Sequence, residues 1–401
     1  MSRKAHGQYF TLSTVLQKLV YDYVQNKGHT LLEPSFGAGH LLRPFLAEDP
    51  NYPMVCCELN RVDEPVVVFG GAQRQVYGDF LSQTDLGGPF MTIVGNPPYV
   101  TRRGLSNLYL AFIERCVSLL AEGGELIFIV PSNFVKLTSA QGLVKTMHEG
   151  GTFTHITTPH DEKMFEGASV DILVFRYVKS DMCHRTSYNG RDVEARLVRG
   201  ILTLTDRLSS GVCLEDLYTV YVGMVSGCDS VFRSQLGHLS LLVKKDTVET
   251  YIYTEEFPTG DAAVDAYLEA HKPRLMSRKI RPMTEESWFK WGAMRNKARV
   301  DACIGRPCAY LNMLTRTSSP AFLGTVQYFG GQLLCIVPRT EEALIRLCDL
   351  VAFLNSDVFR KEHTYAGRFK AGQREVANCA LPATFAQCPT TQMCSYYPSS
   401  A

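Results

Sequence analysis

The sequence predicts an α/β fold in its first half, followed by a region of mixed α+β character. Three observations carry the first prediction. Apolar runs of strand length recur at Leu31-Leu32, Met54-Val55-Cys56-Cys57, Phe90-Met91-Thr92-Ile93-Val94 and Leu126-Ile127-Phe128-Ile129-Val130. Helical patterns lie between and before them, one through Val15, Leu16, Leu19, Val20 and Tyr23, another opening at Asn107-Leu108-Tyr109. The runs end in carboxylates, glycine turns or polar clusters, where open α/β sheets place their ligands.

In chain order, His6-Gly7-Gln8-Tyr9-Phe10-Thr11 leads into the first helix, with Thr11 or Ser13 as its N-cap. The run at Leu31 passes through Glu33 and Ser35 into Phe36-Gly37-Ala38-Gly39. Such a turn lets backbone pass close to a ligand, or simply closes a tight bend. It lacks the third glycine of a dinucleotide fingerprint, which argues against NAD. Glu58 ends the next run about 20 residues on, a spacing that suits hydrogen bonds from ribose hydroxyls. Gly78-Asp79-Phe80 follows at the next strand end.

Asn96-Pro97-Pro98-Tyr99 closes the run at Phe90. Paired prolines remove two backbone donors and fix φ twice. Carbonyl oxygens and the Asn96 amide then face a site with no competing N–H groups. Two convergent acceptors beside an aromatic plate suit an exocyclic amino group on a flat ring. A rigid turn closing the strand is the plainer reading of the same residues. Arg102 and Arg103 come next, as phosphate contacts or as surface charge. The helix from Asn107 is expected to end at Glu122-Gly123-Gly124, and Glu125 to Pro131 to form a buried strand.

These motifs, in this order, resemble the gamma class of DNA adenine-N6 methyltransferases, the TaqI type of restriction-modification systems. The resemblance covers residues 6 to 178 and closes on Phe165-Glu166-Gly167-Ala168-Ser169-Val170-Asp171 ahead of a strand. It implies a Rossmann-like methyltransferase domain with a seven-stranded, mostly parallel sheet. It implies S-adenosylmethionine as cofactor, leaving as S-adenosylhomocysteine, held by Tyr9, Thr11, Glu33, Ser35, Gly37, Gly39, Glu58, Asp79, Phe80 and Asn96. In that family the threonine is near the methionine end, the aspartate binds the adenine amino group, and the phenylalanine packs on its ring. The catalytic set is Asn96, Pro97, Pro98, Tyr99 and Phe165. The Asn96 side-chain oxygen and the Pro97 carbonyl would accept the N–H bonds of the target amine. Tyr99 would stack on a flipped base, with Phe165 at an edge or opposite. Phe165 reads equally as a core residue under a loop. The implied target is a short palindromic duplex site, and no metal is required.

Composition sets the outer bounds. The 401 residues, 45% hydrophobic, suffice for two domains with real cores. No run approaches the roughly 20 apolar residues of a membrane span, and no signal core opens the chain. A cytoplasmic monomer of prokaryotic or viral origin, acting on double-stranded DNA, is expected. The 13 cysteines show no C-x-x-C pair and make no zinc spacing with the ten histidines, so reduced thiols are expected. Residues 1–180 carry 15 basic and 17 acidic side chains, a net of −2, although the whole chain is +1.

The excess of cations therefore lies further on. Lys272 to Arg299 holds nine basic residues against Glu285 and Glu286, with Trp288-Phe289-Lys290-Trp291 embedded. A second basic patch runs from Arg360 to Arg374. Two such stretches with interleaved aromatics favour DNA recognition over a solvated face. The candidate DNA contacts are Arg102, Arg103, Arg278, Lys279, Arg281, Arg295, Lys297, Arg299, Arg368 and Lys370. Trp288 and Trp291, at helical spacing, are expected to pack inward. Polar residues from Ser180 to Gly190 mark the boundary. The division is a catalytic domain 1–185, a linker 186–211, a target-recognition domain 212–386 and a flexible tail 387–401. Residues 214–228 resemble the opening of the family's recognition domain, and Leu347 to Phe359 reads as one amphipathic helix. The competing readings are an N-methyltransferase of ribosomal RNA or of a protein glutamine amide, and a non-catalytic cofactor- and DNA-binding module.

Overall fold

The computed structural model describes residues 11–61, 64–100, 107–159, 172–198, 200–205, 209–280, 282–365 and 368–386. It divides into two compact units, Met1–Asp206 and Arg207–Ala401. Tyr9, Arg102, Arg103, Phe165, Arg281 and the tail 387–401 lie outside the described residues.

The first unit is built on one sheet. Its strands are β1 (Leu31–Glu33), β2 (Met54–Glu58), β3 (Gln73–Tyr77), β4 (Phe90–Gly95), β5 (Leu120–Pro131), β6 (Gly151–Thr157), β7 (Ile172–Lys179), β8 (Arg185–Tyr188), β9 (Arg191–Val198) and β10 (Ile201–Thr205). Their order is β3-β2-β1-β4-β5-β7-β6-β8-β9-β10. The first five pair in parallel, and β7 enters antiparallel between β5 and β6. β1 and β2 are buried at every residue, as expected of strands covered on both faces. Two core clusters do the covering. Helices α1 (Thr14–Tyr23) and α2 (Arg43–Glu48) supply Leu16, Val20 and Phe45 to one. Helices α3 (Leu108–Leu119) and α4 (Gln141–Gly150) supply Tyr109, Phe112, Ile113, Val144 and Met147 to the other.

Several expectations need correction. The sheet has ten strands where seven were expected. The surplus is β8 to β10, which occupy most of the stretch assigned to a linker. Asn189 (φ 49°) and Gly190 (φ 78°) are not part of a loose boundary; they form the two-residue turn of the β8–β9 hairpin. Helix α3 stops at Leu119, and β5 begins at once at Leu120. The Gly123-Gly124 pair lies inside that strand, at an irregularity in its pairing with β4. A Cβ on Gly124 would lie 2.9 Å from the Phe90 carbonyl oxygen, so the kink admits only glycine without a shift. Ser13, not Thr11, caps α1, accepting from the Leu16 N–H at 3.4 Å.

The second unit is α+β. Strands Tyr218–Val222, Leu333–Pro338, Pro307–Asn312 and Ala321–Thr325 form an antiparallel sheet in that spatial order. Leu347, Leu350, Leu354, Phe359 and Val376 join one of its core clusters. The expected helix from Leu347 to Phe359 is two helices, Leu347–Leu354 and Asp357–Glu362, with Ser356 capping the second. Trp288 and Trp291 are buried in a separate cluster with Phe232 and Leu268. Trp288 lies in a turn and Trp291 in irregular backbone, neither on a helix. Among the described residues ten cysteines are free, but Cys348 is disulfide-bonded, against the expectation that all are reduced. No described helix is long and apolar enough to cross a membrane, and no described group of three His, Cys, Asp or Glu could hold a metal ion.

Candidate functional site

The strand order reverses beside β1, which has β2 on one side and β4 on the other. A crevice at such a switch point is where α/β sheets bind ligands. The residues leaving β1 and β4 at their carboxyl ends are the glycine turn and Asn96-Pro97-Pro98-Tyr99.

The glycine turn is held open by its own geometry. Gly37 (φ 54°) and Gly39 (φ 86°) are left-handed. A Cβ on Gly39 would meet Val67 at 2.5 Å. Val67 belongs to a strap lying against the turn: the Val66 N–H donates to the Ala38 carbonyl at 2.8 Å, and the Phe69 ring meets Phe36 edge-on at 5.3 Å. Glu58 at the end of β2 accepts from the Gly37 N–H at 2.8 Å and the Leu59 N–H at 3.0 Å. Burial raises its pKa against those donors. Leu59, next to it, is 53% exposed although apolar.

Glu33 is 1% exposed and accepts from the Ser35 N–H at 3.0 Å. Burial, with Glu58 nearby, pushes its carboxyl up to about 8. A carboxyl so placed is short of positive charge. Asp79 accepts from the Leu81 N–H at 3.1 Å and starts a short 3-10 turn. The Phe80 ring packs against Phe112 at 5.1 Å, with the Arg115 guanidinium 5.3 Å from its centre.

Asn96 joins this set through hydrogen bonds. The Ser35 hydroxyl donates to the Asn96 carbonyl at 3.4 Å. Asn96 Nδ2 donates to Thr11 Oγ1 at 3.1 Å, and the Tyr99 hydroxyl donates to Asn96 Oδ1 at 2.6 Å. Pro97 is buried, and Pro98 and Tyr99 are half-buried. The structure therefore brings together Thr11, Glu33, Ser35, Gly37, Gly39, Glu58 and Asn96 to Tyr99. Sequence reasoning missed Gln17, which is 4% exposed and donates through Nε2 to the Thr11 carbonyl at 2.7 Å. The signal was available: a polar residue inside the apolar stripe of Leu16 and Val20.

The cations of the second unit fall into two kinds. Arg278 is occupied by the fold, donating to the carbonyls of Leu275 (2.8 Å), Ser226 (3.0 Å) and Trp288. Lys297 pairs with Asp301 at 2.9 Å. Lys279, Arg295 and Arg299 are exposed, as are Arg368 and Lys370 on either side of buried Phe369.

Comparison with known proteins places the site in a family context. Residues 75–165 match the model of the Eco57I restriction-modification methylase. The type II methyltransferase M.HincII of Haemophilus influenzae is 28% identical over 195 residues, 43% of this chain and 37% of that protein. The modification methylase CviBIII of Paramecium bursaria Chlorella virus NC1A is 34% identical over 148 residues, 32% of this chain and 39% of that protein. The chain thus spans about two-fifths of the length of the curated relatives it matches. Among solved structures, the M protein of the type I restriction enzyme EcoKI matches 45% of this chain and 48% of its own at 16% identity and a TM-score of 0.37. Over the matched segment the first unit is similar to the type II restriction-modification methyltransferases.

Proposed function

We propose that the chain is a site-specific DNA methyltransferase of the gamma, TaqI-like class, acting on the 6-amino group of adenine in a short palindromic duplex site. One observation carries the reading: Asn96 stands at the carboxyl end of β4 beside the glycine turn and its carboxylates, its backbone carbonyl accepting from the Ser35 hydroxyl and its carboxamide donating to Thr11.

The residues present fit the cofactor. Glu33 offers a buried carboxyl to a cationic group, Glu58 a carboxylate to hydroxyls, and the glycine turn a close backbone approach. Asp79 and exposed Leu59 flank the same edge. S-adenosylmethionine supplies an activated sulfonium methyl. The adenine amine is a weak nucleophile because its lone pair is delocalised into the ring. Asn96 Oδ1 and the Pro97 carbonyl would accept its two N–H bonds, drawing the nitrogen toward tetrahedral geometry. Positioning and electrostatics then supply the catalysis. The base must leave the duplex to reach the site. The second unit would supply target recognition, with Lys279, Arg295, Arg299, Arg368 and Lys370 as surface cations for the backbone and base edges.

The test is methyl transfer from labelled S-adenosylmethionine to unmethylated DNA, followed by nucleoside analysis. N6-methyladenine is the expected product, and long-read sequencing of DNA from expressing cells reports its site. Asn96→Ala should reduce transfer to background while leaving cofactor and duplex binding within a few-fold. Transfer only to RNA, or only to a glutamine-containing peptide, would reject the reading.

A further inference from the structure

We propose that Tyr99 and Thr11 are positioning residues that hold the Asn96 carboxamide in place through their two hydroxyl groups. The proposal rests on the methyl-transfer reading for what Asn96 does, and on the structure for how Asn96 is held.

An asparagine side chain turns about two torsions, and the last of these is broad. Left alone, Asn96 would offer its oxygen over a range of positions. Here both ends of the amide are engaged, Nδ2 at Thr11 Oγ1 (3.1 Å) and Oδ1 at the Tyr99 hydroxyl (2.6 Å). Each holder is itself held. Thr11 is buried, and its carbonyl accepts from buried Gln17. The Tyr99 hydroxyl also lies 2.9 Å from the Ile129 carbonyl in β5, and its ring meets Tyr109 edge-on at 6.1 Å. The chain Gln17–Thr11–Asn96–Tyr99–Ile129 thus ties the amide to α1 on one side and to the sheet on the other.

The two prolines gain a second purpose from this. They fix φ twice between Asn96 and Tyr99, so the tyrosine returns over the asparagine three residues earlier. A phenol has one proton and here has two acceptors in reach. It can serve the Ile129 carbonyl when Asn96 Oδ1 takes an N–H from a substrate amine. Burial raises the Tyr99 pKa well above its ordinary value, so the proton is present at all working pH.

Four variants separate this role from stacking and from cofactor contact. Tyr99→Phe keeps the ring and removes the hydroxyl; Tyr99→Leu removes both. Thr11→Val removes a hydroxyl at constant shape; Thr11→Ser restores it. Tyr99→Phe and Thr11→Val should each slow single-turnover transfer about ten- to a hundredfold, with cofactor and duplex affinity little changed, and Thr11→Ser should recover the rate. Full rate in Tyr99→Phe with loss only in Tyr99→Leu would leave stacking as the whole role. Weakened cofactor binding in Thr11→Val, with a normal rate at saturation, would make Thr11 a cofactor contact instead.

A second measurement needs no substrate. In protein carrying 15N-asparagine, the Asn96 side-chain amide, assigned by its loss in Asn96→Ala, should exchange its protons with water more slowly than a free asparagine amide. In Thr11→Val, which removes the acceptor for Nδ2, that exchange should quicken. A wild-type signal like that of free asparagine overturns the proposal whatever the enzyme methylates. A held amide in a protein that methylates no DNA would sustain the positioning and reject the function.

Discussion

Glu125 and Glu33 are both buried in the same sheet, and they are treated in opposite ways. Leu31, the first residue of β1, pairs with Thr92, which pairs with Glu125, so Glu125 lies at the amino edge. There it is fully satisfied. It accepts from the Gln25 and Asn26 N–H groups at 2.9 and 2.8 Å, from the Thr92 hydroxyl at 3.2 Å, and from Arg176 Nε at 2.7 Å. Arg176 spends a second nitrogen on Thr154 at 2.8 Å. Glu33 closes β1 at the carboxyl edge, with the Ser35 N–H and a second carboxylate nearby. The difference separates fold from site. Where the sheet needs a buried charge, the fold neutralises it from within. Where a cationic ligand is expected, the carboxyl is left short of positive charge.

Breaking the satisfied side should have the largest effect. Arg176→Met leaves Glu125 buried without its cation, and should cost about 3–5 kcal/mol of stability by denaturant midpoint. Replacing both partners together should recover much of that loss, because it is the orphaned charge that costs most. A small effect of Arg176→Met would show the two glutamates to be less different than their surroundings imply.

Glu33→Gln tests the other side. The folded pKa of Glu33, about 8, stands above its ordinary 4.5. The folded state therefore holds the proton more tightly than the unfolded one. Stability from this group is fully present below about pH 4.5 and declines as pH rises toward 8, by at most about 1.4 kcal/mol per pH unit. Glu33→Gln should flatten that slope in the cofactor-free protein, measured by denaturant midpoints between these limits. It should also weaken S-adenosylmethionine about ten- to a hundredfold by calorimetry, the worth of a hydrogen bond to a charged group. Unchanged affinity would remove Glu33 from the cofactor site.

How much of this could be read in advance follows from what sequence encodes locally. The runs at Leu31, Met54 and Leu126 are apolar throughout because those strands are covered on both faces, and continuous runs are easy to see. The glycine turn, Glu58 and Asn96-Pro97-Pro98-Tyr99 are contiguous signals. β8 and β9 alternate instead, and Asn189-Gly190 marks a hairpin turn and a polar boundary equally well. The spacing of Trp288 and Trp291 fits a helix as well as the turn and irregular backbone that hold them. Position in the sequence did not reveal that the Phe80 ring packs against Phe112 or that the Tyr99 hydroxyl reaches back to Asn96. Side-chain direction depends on the packing of distant α3 and β5, which no window of sequence contains.

The same contrast divides the cations of the second unit, and gives the smallest and most specific effect. Arg278 resembles Glu125: its guanidinium bonds to three carbonyls and holds the loop through Ser226 and Trp288. Arg278→Ala should destabilise by about 1.5–3 kcal/mol, and any loss of DNA binding should follow that loss of fold. Arg295 and Arg299 resemble Glu33 in being left for a partner, and stand exposed. Their replacement should change stability by no more than about 0.5 kcal/mol. If they contact phosphates, each should lower the slope of log affinity against log salt by about one, equally on a specific and a scrambled duplex. A base-reading residue would leave that slope and relax sequence preference instead. Duplex affinity across a salt series, with thermal melts on the same preparations, separates the cases. Should Arg278→Ala melt normally yet bind DNA weakly, the carbonyls are not its chief partners, and the division between charges held by the fold and charges left for a ligand fails in this unit.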